Sequence, residues 1–210
     1  MRVALFGGTF DPPHRGHLSV ARAAADAFRL DSILFAPAGR QPLKSNGATS
    51  TSFADRLAMT ALACASVDDR GKGSIEDPRL QASALDAPRA DGLPNYTVDT
   101  LAELRRTRPG DTLFNLVGAD SFLDLPRWRE PARLLELAEW IVAARPGFSL
   151  EDLSPLRLTP HQRARVHLLA STDEDISATD LRRRLQTGDD CRGLVPAAVC
   201  DYIRSHGLYR

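Results

Sequence analysis

Apolar residues fall in short runs separated by longer amphipathic stretches, and this alternation repeats along the whole chain. Val3–Phe6 is an apolar run stopped by Gly7-Gly8, the pattern of a buried first strand. The alanine-rich stretch from Gly16 to Phe28 predicts a helix, and Ile33–Ala36, halted by Pro37, a second strand. Ser52, with Asp55 three residues on, predicts a capped helix to about Ala65. Positions 66–95 are rich in Asp, Pro, Gly and Arg without a period, which predicts loops with room for one strand. Val98–Arg106 predicts a helix and Leu113–Val117 a strand ended by Gly118. Pro131–Glu139 predicts a helix, followed by a buried strand over Trp140–Ala144 that Pro146-Gly147 stops. Positions 147–165 read as a surface excursion, and Val166–Ala170 as the last strand. Ser177 caps a short basic helix, Ala178–Gln186, and Pro196 opens a final helix to about His206.

Strands alternating with helices imply an α/β fold: a doubly wound, mainly parallel sheet with helices on both faces. The reading is one domain over 1–210, with a small helical portion from about 177. Ligands of such sheets bind beyond the carboxyl ends of the strands, so the residues after Phe6, Ala36 and Val117 carry the most interest.

Composition narrows the setting. Hydrophobic residues make up 43% and charged ones 26% of 210, which excludes disorder. Twenty-seven basic residues cancel 27 acidic ones, which argues against a nucleic-acid partner but not against small anions bound by a local cluster. Cys64, Cys191 and Cys200 are odd in number and widely spaced, so neither a disulfide framework nor a zinc site is expected. Four apolar residues after Met1-Arg2 are too few for a signal-peptide core, and no run approaches the ~18 residues of a membrane span. The expected setting is cytoplasmic, with no membrane partner.

The candidate chemistry begins at the first strand end, Gly7-Gly8-Thr9-Phe10-Asp11-Pro12-Pro13-His14-Arg15-Gly16-His17. The glycines let backbone approach a ligand closely. A helix opening near Gly16 turns free N–H groups and a favourable dipole toward an anion. His14 and His17, three residues apart, can point at one phosphate group. A metal site is the weaker alternative, because no third His or Cys has suitable spacing. The absence of Gly-Lys-Ser/Thr excludes a Walker loop.

His-x-Gly-His after Gly-Gly-Thr-Phe-Asp-Pro resembles the signature of the nucleotidylyltransferase superfamily, whose members share a Rossmann-like fold and transfer a nucleoside monophosphate with release of pyrophosphate. Ile176-Ser177-Ala178-Thr179-Asp180-Leu181-Arg182 resembles the second signature, Ile-Ser-x-Thr-x-x-Arg. Ser177 as a cap leaves the Ala178 and Thr179 amides free, and Arg182 can fork onto phosphate oxygens. The neighbouring Arg183 and Arg184 read as a solvated basic face. Asn95-Tyr96-Thr97-Val98-Asp99-Thr100-Leu101, Gly118-Ala119-Asp120-Ser121 and downstream Trp128 resemble bacterial nicotinate-nucleotide adenylyltransferases, as do Val195-Pro196, Tyr202-Ile203 and Gly207-Leu208-Tyr209 in the C-terminal helix and tail.

That resemblance implies AMP transfer from ATP to nicotinate mononucleotide, giving deamido-NAD. It implies His14, His17, Lys44 and Arg182 as catalytic phosphate contacts. It implies Gly7, Gly8, Thr9, Phe10, Gly16, Ser177 and Thr179 around ATP, and Tyr96, Thr97, Asp120, Trp128 and Arg145 around the acceptor. Mg²⁺ is expected to be carried with ATP. The plainer readings are Trp128 as a core aromatic, Thr97 as a helix cap, Asp120 as a loop cap and Arg145 as a surface charge. Two departures stand out. Pro42-Leu43-Lys44 keeps the lysine of the family's His-Lys pair without its histidine, and Asp86 and Arg89 only approximate a Glu and Arg before Tyr96, so neither is assigned a role. A phosphopantetheine or nicotinamide mononucleotide acceptor, a cytidylyltransferase, and a nucleotide-binding regulator on the same fold are the competing readings.

Overall fold

The computed structural model of the chain describes residues 1–42, 51–66, 77–144, 149–170 and 176–210. Six strands form one parallel sheet: β1 Arg2–Gly8, β2 Ser32–Pro37, β3 Leu80–Ala82, β4 Thr112–Gly118, β5 Glu139–Ala143 and β6 Val166–Leu169. Their order, β3-β2-β1-β4-β5-β6, reverses direction between β1 and β4, where a doubly wound sheet opens its ligand crevice. The helices are α1 Arg15–Phe28, α2 Phe53–Cys64, α3 Thr97–Thr107, α4 Ala119–Leu123, α5 Pro131–Leu137, α6 Pro160–Arg163, α7 Ala178–Gln186 and α8 Ala197–Ser205.

The pleat of β1 sorts the core into two layers. Ala4 and Phe6 face a cluster that includes Leu18, Met59, Leu181, Val199, Ile203 and Tyr209, from α1, α2, α7, α8 and the segment after α8. Val3 and Leu5 face the other cluster, with Val98, Leu101, Phe122, Leu134 and Trp140. The segment from α7 onward therefore shares the core of the sheet.

Capping set several boundaries as the side chains dictate. Ser52 Oγ accepts the Asp55 N–H at the start of α2, and Ser177 caps α7 in the same way through Asp180. Other boundaries differ from the pattern. Glu139 opens β5 and does not end the preceding helix, which stops at Leu137. The short helix α4 and a single 3-10 turn, Leu125–Arg127, carry no 3.6-residue period long enough to read. The stretch expected as a surface excursion includes a 3-10 segment, Leu150–Leu156, that buries Leu153 in the core. Cys64, Cys191 and Cys200 are free and buried, and burial pushes the Cys64 and Cys200 thiols up to about 12 and about 11, which keeps them unreactive. Among the described residues no helix is long and apolar enough to cross a membrane.

Candidate active site

The first motif runs from the carboxyl end of β1 into α1. Phe10 takes a left-handed backbone (φ 49°), and its buried ring packs against Phe6, Phe35 and His17. A Cβ on Gly8 would lie 2.9 Å from that ring, so glycine is needed there for close packing. With its ring in the core, Phe10 has only backbone to offer a ligand.

His14 caps α1 and stacks on His17, with ring centroids 3.6 Å apart. The His14 N–H donates to His17 Nδ1 at 3.2 Å, which leaves His17 Nε2 as the ring's N–H donor. Burial pulls the His14 imidazole down to about 4. Burial, followed by the neighbouring His14, holds His17 well below its ordinary value. Both rings are thus neutral near pH 7 and act as polar donors and acceptors. His14 Nδ1 is buried without a hydrogen-bond partner. The helix mouth is also less open than expected. Leu194 C=O already accepts the Arg15 N–H at 2.9 Å, and the amide of buried Gly16 has no acceptor among the described residues.

The second motif meets the first. Arg182 donates from Nη1 to Asp11 C=O at 2.8 Å, across 171 residues of sequence, and from Nη2 to Thr179 Oγ1 at 3.1 Å. The first amides of α7, Ala178 and Thr179, have no acceptor among the described residues. Arg183 and Arg184 instead pair with Asp180 and Asp189 on the surface.

Beneath the first motif lies a polar set that the sequence pattern did not single out. Asp11, 1% exposed, accepts hydrogen bonds at Oδ1 from Thr51 (2.7 Å) and Tyr209. Arg56, also 1% exposed, donates to Thr9 C=O at 2.9 Å. Burial lowers its guanidinium value, and Asp11 and Tyr209 oppose that shift. An arginine facing the core side of a capped helix was the available signal.

Between β1 and β4 a cavity of about 450 Å³ opens beside this cluster, and Gly7, Gly8 and Thr9 line its near side. The far wall is the start of α3 together with Trp128. Tyr96, not Thr97, is the cap of α3. Its carbonyl accepts from Asp99 and Thr100, so the N–H groups of Thr97 and Val98 are left without an acceptor among the described residues at the wall. Arg129 lies over the Tyr96 ring, 4.6 Å from its centroid. Trp128 is half-buried, edge-on to the fully buried Trp140 at 5.9 Å, and also lines the cavity.

Two polar wall residues went unassigned in the sequence. Asn115 interrupts an apolar strand and is 3% exposed. Asp86 accepts from Thr100 Oγ1 at 3.1 Å, and its burial raises it above the ordinary aspartate value against the pull of that hydroxyl. A Cβ on Gly39 would sit 2.6 to 2.8 Å from Asn95 Oδ1, Pro88 N and Asp86 O, so the loop after β2 presses directly on this wall. Asp120 is exposed in the first turn of α4, outside the lining to which its neighbour Ser121 belongs. Lys44 and Arg145 lie outside the described residues. Among the described residues no group of three or more His, Cys, Asp or Glu is placed to hold a metal ion.

Comparison with known proteins decides the lineage. Residues 5–184 match the cytidylyltransferase-like family model. The chain belongs to the cytidylyltransferase-like family. Its curated relatives include the "Probable nicotinate-nucleotide adenylyltransferase" of Thermus thermophilus, 43% identical over 210 residues with both chains fully covered. A protein of the same name from a Roseiflexus species is 40% identical, covering 99% of this chain and 98% of its own. These matches put this cytidylyltransferase-like chain with the nicotinate-nucleotide adenylyltransferases. The Plasmodium falciparum nicotinic acid mononucleotide adenylyltransferase complexed with NaAD shares the fold: TM-score 0.75, 20% identity, 99% and 97% of the two chains covered.

Proposed function

We propose that the protein transfers AMP from ATP to nicotinate mononucleotide, forming deamido-NAD and pyrophosphate in NAD biosynthesis. The observation that carries this is the Arg182–Asp11 contact, which joins both signature motifs at the switch point beside one cavity. Relatives named for this activity align over the full chain.

In this reading an oxygen of the mononucleotide 5′-phosphate attacks the α-phosphorus of ATP in line. The new P–O bond forms as the bond to the β-phosphate bridging oxygen breaks, and pyrophosphate leaves with the electron pair. The nucleophile is already an anion, so the protein needs no general base. Its contribution is position and charge stabilisation. Arg182 supplies fixed positive charge, and Lys44 is proposed to add to it. The neutral His14 and His17 supply hydrogen bonds, with the amides of Gly7, Gly8, Thr9, Gly16, Ala178 and Thr179 and the Ser177 hydroxyl around the triphosphate. Mg²⁺ enters as part of the substrate, on triphosphate oxygens. On the acceptor side, Trp128 offers a flat face to the pyridine ring, and the Thr97 and Val98 amides suit a carboxylate. Tyr96, Asp120 and Arg145 are proposed to complete the nucleotide contacts.

The test is pyrophosphate release from ATP with nicotinate mononucleotide, nicotinamide mononucleotide or phosphopantetheine, and from CTP in place of ATP. Two N–H donors favour a carboxylate over an amide whose NH₂ would face one of them. Nicotinate mononucleotide should win by roughly one to two orders of magnitude in kcat/KM. Equal use of the two mononucleotides, or preference for CTP, overturns the assignment.

A further inference from the structure

Asp11 is a junction of distant segments. Its carbonyl anchors Arg182 at 2.8 Å, and its buried carboxylate holds the Thr51 hydroxyl at 2.7 Å and the Tyr209 hydroxyl across 198 residues. Tyr209 is itself buried and left-handed at φ 60°, and Phe10, the residue preceding Asp11, is left-handed at φ 49°. Two bulky residues in that region persist only where their surroundings over-determine them. Here the surroundings are each other: the tyrosine hydroxyl ends on the residue that follows the strained phenylalanine. The same peptide leads within three residues to His14, the cap of α1.

We propose that Tyr209 is a positioning residue for the donor half of the site, fixing through the Asp11 carboxylate the carbonyl on which Arg182 is anchored. The inference rests on the reading that ATP phosphates bind at this end. It gives the segment after α8 a role in ATP use, although that segment contributes no lining to the cavity. Without the hydroxyl, the turn at 10–12 loses one of its tethers, and Arg182 loses the fixed acceptor that aims its fork.

Tyr209→Phe removes only the hydroxyl. It should lower kcat/KM for ATP about ten-fold, the loss of one hydrogen bond to a charged acceptor, and weaken calorimetric binding of a non-hydrolysable ATP analogue by about the same factor. The KM for nicotinate mononucleotide should stay within about two-fold. Thr51→Val, which removes another donor to the same carboxylate oxygen, should show the same ATP-only pattern and serves if the phenylalanine variant folds poorly. Tyr202→Phe is the matched control. It loses a tyrosine–aspartate bond of 3.0 Å between α8 and α2 that does not touch Asp11, and its ATP constants should stay within about two-fold of wild type. In an Arg182→Ala background, Tyr209→Phe should cost nothing further.

Wild-type ATP constants in Tyr209→Phe overturn the proposal. So does a fall in ATP and acceptor parameters together, in proportion to lost folded protein, or a full additional loss on top of Arg182→Ala. A wild-type protein that binds the analogue but releases no pyrophosphate would overturn the assigned reaction instead, and the analogue-binding comparison would still decide the role of Tyr209.

Discussion

The donor and acceptor ends of the site are adjacent but held by different means. At the donor end the two motifs are joined by contacts between distant segments on the buried Asp11: half-buried Arg182 reaches it across 171 residues, and Tyr209 across 198. At the acceptor end the groups that would meet a ligand sit on local elements, although the wall behind them is tied to the loop after β2 through the Gly39 N–H on Asp86 C=O (2.8 Å) and the Asn95 N–H on Arg40 C=O (3.0 Å). The Thr97 and Val98 amides are presented by one helix start, and Arg127 pairs with Asp124 three residues away. The donor end is therefore a property of the whole fold and should fail as a unit. The acceptor end should respond residue by residue, with the fold left standing.

Acid is the harshest way to break the donor end. His14 has an ordinary value of 6.5 and sits at about 4 in the folded chain because burial disfavours its charged form. Between those values the unfolded chain binds the extra proton and the folded chain does not. Stability therefore rises with pH through this window, is flat above it, and is lost as pH falls toward 4. For the buried His14 the full effect is on the order of 3 kcal/mol, and His17, also held low, acts in the same direction. Thermal melts of wild type and His14→Gln at pH values from 7 down to 4.5 measure it. The wild-type Tm should fall more steeply on acidification than that of the variant, and parallel slopes would show that the ring is not desolvated.

A smaller effect separates the specific arginine from the surface ones. Arg182 bonds the first motif, whereas Arg184 pairs with Asp189 on an exposed face at 2.7 Å. Arg182→Ala should lower kcat/KM for ATP roughly 30-fold, and Arg184→Ala should leave it within about two-fold, since exposed ion pairs contribute little. Equal losses would mean that the basic face of α7 acts as a whole, and the contrast between the two ends would lose its basis.

The same contrast explains what was legible in the sequence. The strand–helix alternation was plain because buried parallel strands are continuous apolar runs, and Ser52 and Ser177 marked helix starts through local chemistry. His14, His17 and Arg182 were visible as motif residues, and the structure brings them to one strand end. The charge state of the histidines was not visible, because it depends on burial, for His17 against Phe6 and Phe10, and not on spacing. The contacts of Arg56 and Tyr209 were hidden for a related reason. Each residue reads as an ordinary member of its own segment, and its partner appears only when the chain folds back. Asn115 did leave a trace, a polar residue in the middle of an apolar strand, but nothing local says which cavity it faces.

The smallest effect tests the acceptor end, at Trp128. Its ring is half-buried, edge-on to Trp140 at 5.9 Å, and also lines the cavity, so core and ligand roles are both built into its position. An aromatic contact of this kind is worth about 0.5–1.5 kcal/mol, or at most roughly ten-fold in affinity. Trp128→Ala should raise the acceptor KM about five- to ten-fold for nicotinate and nicotinamide mononucleotides alike, because stacking is blind to the ring substituent. The ATP KM should not move, since no donor-end hydrogen bond passes through this residue. Some loss of Tm is expected as well, because the buried Trp140 loses its neighbour, so stability alone does not separate the two roles. Trp128→Phe does. It keeps a flat ring at the cavity wall and should recover most of the acceptor KM, whereas a purely structural tryptophan would give a phenylalanine variant with restored Tm and an acceptor KM that never changed in either substitution.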